Sequence, residues 1–283
     1  MSIDTRALQS FQKYLHTFDF RRMRIGYLYG TFTPDNKAKV EYIYEPLQET
    51  SGATFTLLED PKGEAVEAIS AMLGFRRVGW IFAHPPREDR FNFSCAEIIS
   101  SAEQQLEAAD GIADTPYVTM KVTLNVDTNE LSVDGWQVSK QCMEMVAEGA
   151  IQVSPNLGFC AVNPTFTAYV EGRPAKEIDN DFFLTRVPIV QHTSELVCSF
   201  PKANREGEVQ TRDDLKAQLL KAGKEGWTLQ TLLADFQLLL FLVSNEFLDL
   251  ATDLPALCRS VRDPSEPVGE GYQVIIRSLA GIE

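Results

Sequence analysis

The first 150 residues alternate between apolar positions at helical spacing and apolar positions at strand spacing. Helical spacing follows Asp4, a good N-cap residue, and reappears after Pro61 and after Ser139. Strand patterns cover residues 24–32, 40–44, 78–83, 118–126 and 131–133. The third is almost entirely apolar, as in a strand covered on both faces, and the fourth alternates apolar with polar side chains. We predict one mixed sheet flanked by helices over residues 1–150, in the α/β (α+β) class.

The pattern changes after residue 150, where turn-forming residues cluster as far as about residue 176. Residues 182–190 and 196–200 then predict an antiparallel pair of strands, and residues 264–283 predict an edge strand. Between them, an apolar segment from Leu229 to about Leu250 predicts one long helix buried in the core. We therefore place a domain boundary at residue 150, with a smaller α+β domain over residues 151–283.

Composition excludes several kinds of partner. The chain carries 26 Lys and Arg against 40 Asp and Glu, a formal charge of −14, which argues against nucleic acid and against an anionic membrane. No apolar run is long enough to cross a bilayer, so we expect no membrane insertion. The five cysteines are scattered without a C-x-x-C pair, which favours reduced thiols in a cytoplasmic or nuclear protein.

Two short motifs carry the candidate chemistry: Gly79-Trp80-Ile81-Phe82-Ala83-His84-Pro85, then Ser94-Cys95-Ala96-Glu97. Together they resemble the metal site of the MPN domain, the fold of zinc-dependent enzymes that remove ubiquitin. In active members two histidines and an aspartate hold zinc, and a glutamate near the first strand acts as general base. The resemblance implies that Phe82 stands at the first histidine, Met23 at the base and Glu97 at the aspartate.

These replacements predict a domain without catalytic residues, metal or cofactor, because catalytic zinc needs about three protein ligands. Ser94 and Glu97 also fit a capping box, in which each satisfies the other's backbone at a helix start, and we favour this over a metal role. A lone histidine at a strand end is usually a hydrogen-bonded packing residue, so we expect the same of His84.

Further segments, in order along the chain, resemble the nuclear protein localization protein 4 family. They are residues 26–30, 43–46, 77–82, 135–142, 179–184 and 235–246. The resemblance implies an inactive MPN domain followed by a C-terminal domain. It implies an adaptor that binds ubiquitin and polyubiquitin, including one unfolded ubiquitin in a groove over both domains.

The resemblance also names the expected partners. With ubiquitin fusion degradation protein 1, such an adaptor delivers substrates to the AAA ATPase valosin-containing protein for unfolding and for proteasomal or ER-associated degradation. We therefore expect a cytoplasmic and nuclear protein that reaches the ER membrane only through partners. We expect the family's elements that dock on the ATPase to be absent from this chain.

An extended peptide would need an aromatic-lined groove or a free sheet edge. Our groove candidates are the aromatic and histidine side chains near the motifs, namely Tyr27, Tyr44, Trp80, Phe82, His84 and Phe91.

Two alternatives to an adaptor stay open. One is a deubiquitinating metalloprotease whose rearranged zinc site uses His84, Glu97 and a third ligand such as His192 or Glu45. The other is a structural MPN subunit that self-associates and ignores ubiquitin.

Overall fold

The computed structural model describes residues 1–87 and 91–282; residues 88–90, in the spacer between the two motifs, lie outside the described part. The helices are α1 (Thr5–His16), α2 (Gly63–Met72), α3 (Cys95–Ala109), α4 (Lys140–Ala147), α5 (Arg212–Glu225), α6 (Leu229–Leu233), α7 (Phe236–Ser244), α8 (Leu254–Arg262) and α9 (Glu270–Leu279), with a 3-10 turn at Asn180–Phe183. The first eight strands are β1 (Ser2–Asp4), β2 (Arg24–Phe32), β3 (Ala38–Tyr44), β4 (Gln48–Thr50), β5 (Phe55–Leu57), β6 (Arg76–Ala83), β7 (Val118–Asn125) and β8 (Glu130–Val138). The remaining strands are β9 (Ile151–Val153), β10 (Phe159–Val162), β11 (Ala168–Val170), β12 (Arg173–Ala175), β13 (Glu177–Asp179), β14 (Leu184–Val187) and β15 (Val190–His192).

One large mixed sheet organises the chain, with strand order β14-β8-β7-β6-β2-β3-β1-β15. β6 lies in its middle, antiparallel to β2 and parallel to β7. A three-stranded sheet of β13, β10 and β9 lies apart, and β11 with β12 forms a separate hairpin. This arrangement confirms the predicted α+β class with a mixed sheet flanked by helices.

Alternate residues of β6 enter two different cores, which confirms that this strand is covered on both faces. Trp80 and Phe82 join the cluster beneath α3 and α4. Ile81 and Ala83 join the opposite cluster beneath α1. A third cluster packs the helices α5 to α9 against α2 and the tyrosines of β2 and β3. Burial on both sides explains why residues 78–83 of this strand carry no charged side chain.

The predicted caps in the first part of the chain are confirmed. The Asp4 carboxylate accepts from the Ala7 backbone N–H at 2.9 Å at the start of α1. Ser94 and Glu97 form a reciprocal capping box at the start of α3, and the Ser139 hydroxyl caps α4. Local sequence is sufficient here because a cap depends on residues only two or three positions apart.

Three predictions beyond residue 150 are wrong. The single long helix is interrupted before α7 by Asp235, whose carboxylate accepts from the backbone N–H groups of Ser199 at 2.7 Å and Phe200 at 2.8 Å. Segments 182–190 and 196–200 do not pair with each other: β14 and β15 instead extend opposite edges of the large sheet. The tail is the helix α9 rather than an edge strand, with Ile276 buried.

The boundary at residue 150 stays a prediction, and the large sheet crosses it. A buried ionic network also joins the two segments: Glu45 accepts from Arg24 Nε at 2.7 Å and from Arg205 Nε at 2.8 Å. Asn204 donates from Nδ2 to the backbone oxygen of Glu45 at 3.1 Å. The segment around residues 204–205 is thereby fixed against the β3 end of the sheet.

Candidate functional site

The residues of the two motifs do come together, at the end of β6 and the start of α3. Here the chain leaves β6 at Ala83 and re-enters regular structure at Cys95. Phe82 lies on the α3 side of the sheet in register with Lys121 of β7 and Ile25 of β2. The side chains that follow therefore converge on one corner of the sheet.

Phe82 is fully buried in an aromatic stack, so its ring occupies core. Its ring lies 5.0 Å from that of Trp80 and 5.3 Å from that of Phe93, measured between centroids. The Trp80 indole N–H donates to Thr119 Oγ1 at 2.8 Å. Phe82 has no lone pair to offer a metal, and its packing gives a structural reason for an aromatic residue at this position.

His84 is a neutral residue held by its own chain. Its Nδ1–H donates to the Pro85 backbone oxygen at 2.7 Å, while the buried Nε2 has no hydrogen-bond partner among the described residues. Burial, and then the positive charge of Arg87, lower the pKa of His84 to about 4. The prediction of a packing histidine agrees with this geometry.

Glu97 is engaged by the protein itself. Its Oε2 accepts from the Ser94 backbone N–H at 2.8 Å and from Arg87 Nη1 at 3.1 Å, and Arg87 Nη2 pairs with Oε1. The guanidinium of Arg87 thus neutralises the carboxylate at the position where, by the MPN resemblance, a metal would do so. Within residues 1–87 and 91–282 no cluster of three or more His, Cys, Asp or Glu is arranged to hold a metal ion.

The third ligands imagined for a rearranged zinc site lie elsewhere. His192 pairs with Glu41 at 3.4 Å on the edge of the sheet formed by β15. Glu45 is bound by Arg24 and Arg205 in the buried ionic network. Neither joins His84 and Glu97, so the described part of the chain does not assemble the rearranged site.

Lys121 and Arg87 were missed by the sequence reading. Alternation along β7 is typical of a half-buried strand, yet Lys121 is only 6% exposed. Its Nζ donates to the Asn92 backbone oxygen at 2.7 Å and lies 5.4 Å from the Phe93 ring centroid. Burial lowers the pKa of Lys121. The segment that leads into α3, with Asn92 and Phe93, covers Lys121. The residues next to Lys121 in the sequence give no sign of this distant contact.

Four groove candidates are corrected by their burial. Tyr44, Trp80, Phe82 and His84 are each at most 5% exposed, so none presents a surface to a ligand in this structure. The physical reason is that strand aromatics here fill the space between the sheet and its helices. Met23, which the MPN resemblance places at the base position, is also buried.

Tyr27 and Phe91 remain partly exposed. The guanidinium of Arg77 lies 4.1 Å from the Tyr27 ring centroid, and Arg77 also lines a cavity of about 370 Å³ between α2 and α3. The guanidinium of Arg87 lies 4.9 Å from the Phe91 ring centroid. Tyr27 and Phe91, each beside an arginine, therefore remain predicted groove residues.

Comparison with known proteins gives the family directly. The model of the NPL4 family matches residues 24–172. NPL4-like protein 2 of Arabidopsis thaliana is 34% identical over 99% of this chain and 68% of its own length. The chain belongs to the NPL4 family. The family resemblance stated from the motifs is thereby confirmed.

Other NPL4 relatives are longer. The nuclear protein localization protein 4 homolog of Dictyostelium discoideum is 33% identical over 99% of this chain, which spans 47% of that relative. The human homolog is 30% identical over 88% of this chain and 48% of its own length. This NPL4 chain thus spans about half the length of these two relatives. Among its described residues, no helix combines the length and apolar character that crossing a bilayer requires.

Proposed function

We propose that this NPL4 chain is a non-catalytic adaptor that binds ubiquitin and polyubiquitin. Together with ubiquitin fusion degradation protein 1, it would present ubiquitinated substrates to the AAA ATPase valosin-containing protein. The substrates would then be unfolded for proteasomal and ER-associated degradation. Membership of the NPL4 family is the observation that carries this proposal.

The state of the degenerate site supports the non-catalytic part of the proposal. Phe82 and Met23 are packed in the core, and Glu97 is bound to Arg87. A metalloprotease would have to break this ion pair and recruit further ligands before it could activate water. We propose the same MPN-type origin for this corner of the fold that the motif resemblance implies.

The accessible groove candidates are Tyr27 and Phe91. We propose that they contact the extended ubiquitin segment, since a partly exposed aromatic ring can stack against a peptide while its neighbouring arginine binds carbonyl or carboxylate oxygens. Buried Tyr44, Trp80, Phe82 and His84 would act by supporting the surface.

The test is retention of ubiquitin tetramers by the immobilised chain, with and without excess zinc. We expect retained, uncut tetramer, and weaker retention by Tyr27→Ser or Phe91→Ser. Val209→Ser is the matched control, because Val209 is 76% exposed and distant in sequence from both candidates. Cleaved tetramer with zinc in the protein would favour the metalloprotease alternative. Self-association with no retained ubiquitin would favour the structural-subunit alternative.

A further inference from the structure

A second concave surface, unrelated to the degenerate site, lies beside α4. We name it the α4 pocket: a cavity of about 380 Å³ whose lining includes Met145, Glu148, Phe166, Tyr169, Phe182 and Phe183. Its walls come from α4, the β11–β12 hairpin and the 3-10 turn before β14. None of these residues was a candidate from the sequence.

Three aromatic side chains at this pocket are exposed to solvent. Phe166 is 38%, Phe182 64% and Tyr169 65% exposed, whereas Phe183 beneath them is buried. Isolated apolar residues on a surface are ordinary, but three aromatic rings around one cavity are typical of a binding surface. Aromatic side chains are also the residues that contribute most to interface affinity.

The pocket walls are held in place without a ligand. Asn163 donates from its backbone to the Ala150 oxygen at 2.9 Å and from Nδ2 to the Gly149 oxygen at 3.0 Å. These bonds fix the segment that leads to Phe166 against the end of α4. Tyr169 lies opposite Pro174 in the β11–β12 hairpin. A ligand would therefore enter a preformed site and would order little of the chain.

The charged side chain that lines the pocket is negative. Glu148 is the one charged residue among those lining it, and it stands at the C-terminal end of α4. That helix has no basic residue in its last turn, so its negative end is not neutralised from within. A positive side chain of a partner would be attracted by both the Glu148 carboxylate and the helix end.

We propose that the α4 pocket binds a protein segment whose aromatic or branched apolar side chain is flanked by lysine or arginine. The apolar side chain enters between Tyr169 and Phe182, and a neighbouring cation pairs with Glu148. This interaction involves neither Tyr27 nor Phe91 and does not depend on ubiquitin binding at those residues.

The test uses three synthetic peptides with the same Leu-Trp-Leu centre, flanked by paired lysines, paired serines or paired glutamates. Amide chemical shifts of the isotope-labelled chain report where each peptide binds. We expect shifts within residues 141–183 and a Kd of about 1 mM, which one buried side chain can supply. The lysine peptide should bind roughly fivefold more tightly than the glutamate peptide, and added salt should reduce the difference.

Two variants and one control make the result decisive. Glu148→Lys should reverse the order of the lysine and glutamate peptides, and Tyr169→Ser with Phe182→Ser should abolish the shifts. Val209→Ser, which also removes an exposed apolar side chain, should leave them unchanged. The proposal is overturned if no peptide shifts the amide signals of residues 141–183, which includes the case in which basic peptides bind only elsewhere on this acidic chain. It is also overturned if Glu148→Lys leaves the lysine peptide binding more tightly than the glutamate peptide.

Discussion

Glu45 provides the sharpest test of how the two segments of the chain are held together. Its carboxylate lies between Arg24 and Arg205, with Nε–Oε distances of 2.7 Å and 2.8 Å, and all three side chains are at most 8% exposed. Arg24 also donates from Nη2 to the Asn204 backbone oxygen at 2.9 Å. Glu45→Ala would leave two buried guanidinium groups without their shared anion.

The expected loss of stability follows mainly from the uncompensated buried charge of Arg24, since Arg205 keeps an ion pair with Glu208 at 3.2 Å. Removing one partner of a buried ion pair lowers the free energy of unfolding by about 3–5 kcal/mol. At roughly 2–4 °C per kcal/mol for chains of this size, the melting temperature should fall by about 10 °C. Glu45→Gln keeps the shape and one acceptor oxygen, so its loss should be smaller.

Urea unfolding of the wild type, Glu45→Ala and Glu206→Ala measures this directly. Glu206 makes a similar two-point contact with Arg22, at 2.9 Å and 3.0 Å, but its side chain is 77% exposed. Exposed pairs contribute about 0–1 kcal/mol, so Glu206→Ala should shift the midpoint little. Equal losses from the two variants would refute the argument that burial of the Glu45 network stabilises the fold.

Three further predictions concern single side chains. Because the pKa of His84 falls to about 4 in the fold, the unfolded chain binds a proton before the folded chain does as pH drops. The free energy of unfolding should therefore decline by up to about 3 kcal/mol between about pH 6.5 and about pH 4. Urea midpoints measured across this pH range should show the decline in the wild type and a flatter dependence in His84→Gln. Trp80→Ala should lower the free energy of unfolding by about 3–5 kcal/mol, since it leaves a cavity in the core and removes the donor to Thr119 Oγ1. An unchanged melting temperature would show instead that Trp80 lies on the surface. Asp235→Ala should lower the free energy of unfolding by about 2–4 kcal/mol, because it removes the acceptor for the backbone N–H groups of Ser199 and Phe200. Hydrogen exchange should become faster at those two amides, and this is the measurement that checks the prediction.

Sequence by itself determined the features that depend on near neighbours. The caps at Asp4, Ser94 and Ser139 and the doubly covered strand β6 all follow from side chains a few positions apart. Six segments in order along the chain, from residues 26–30 to residues 235–246, also predicted the NPL4 family. Hydrogen bonding and periodicity over one or two turns are enough to encode such features.

Tertiary structure alone decided which of these side chains are buried and which stay exposed. Alternation could not show that Lys121 is buried, and an aromatic strand could not show that Trp80 and Phe82 fill the core while Tyr27 and Phe91 stay partly exposed. Asp235 interrupts an apolar helix because distant residues 199 and 200 need its carboxylate. The α4 pocket likewise joins a helix, a hairpin and a 3-10 turn. Burial depends on what packs across the sheet, and those contacts join residues far apart in the chain.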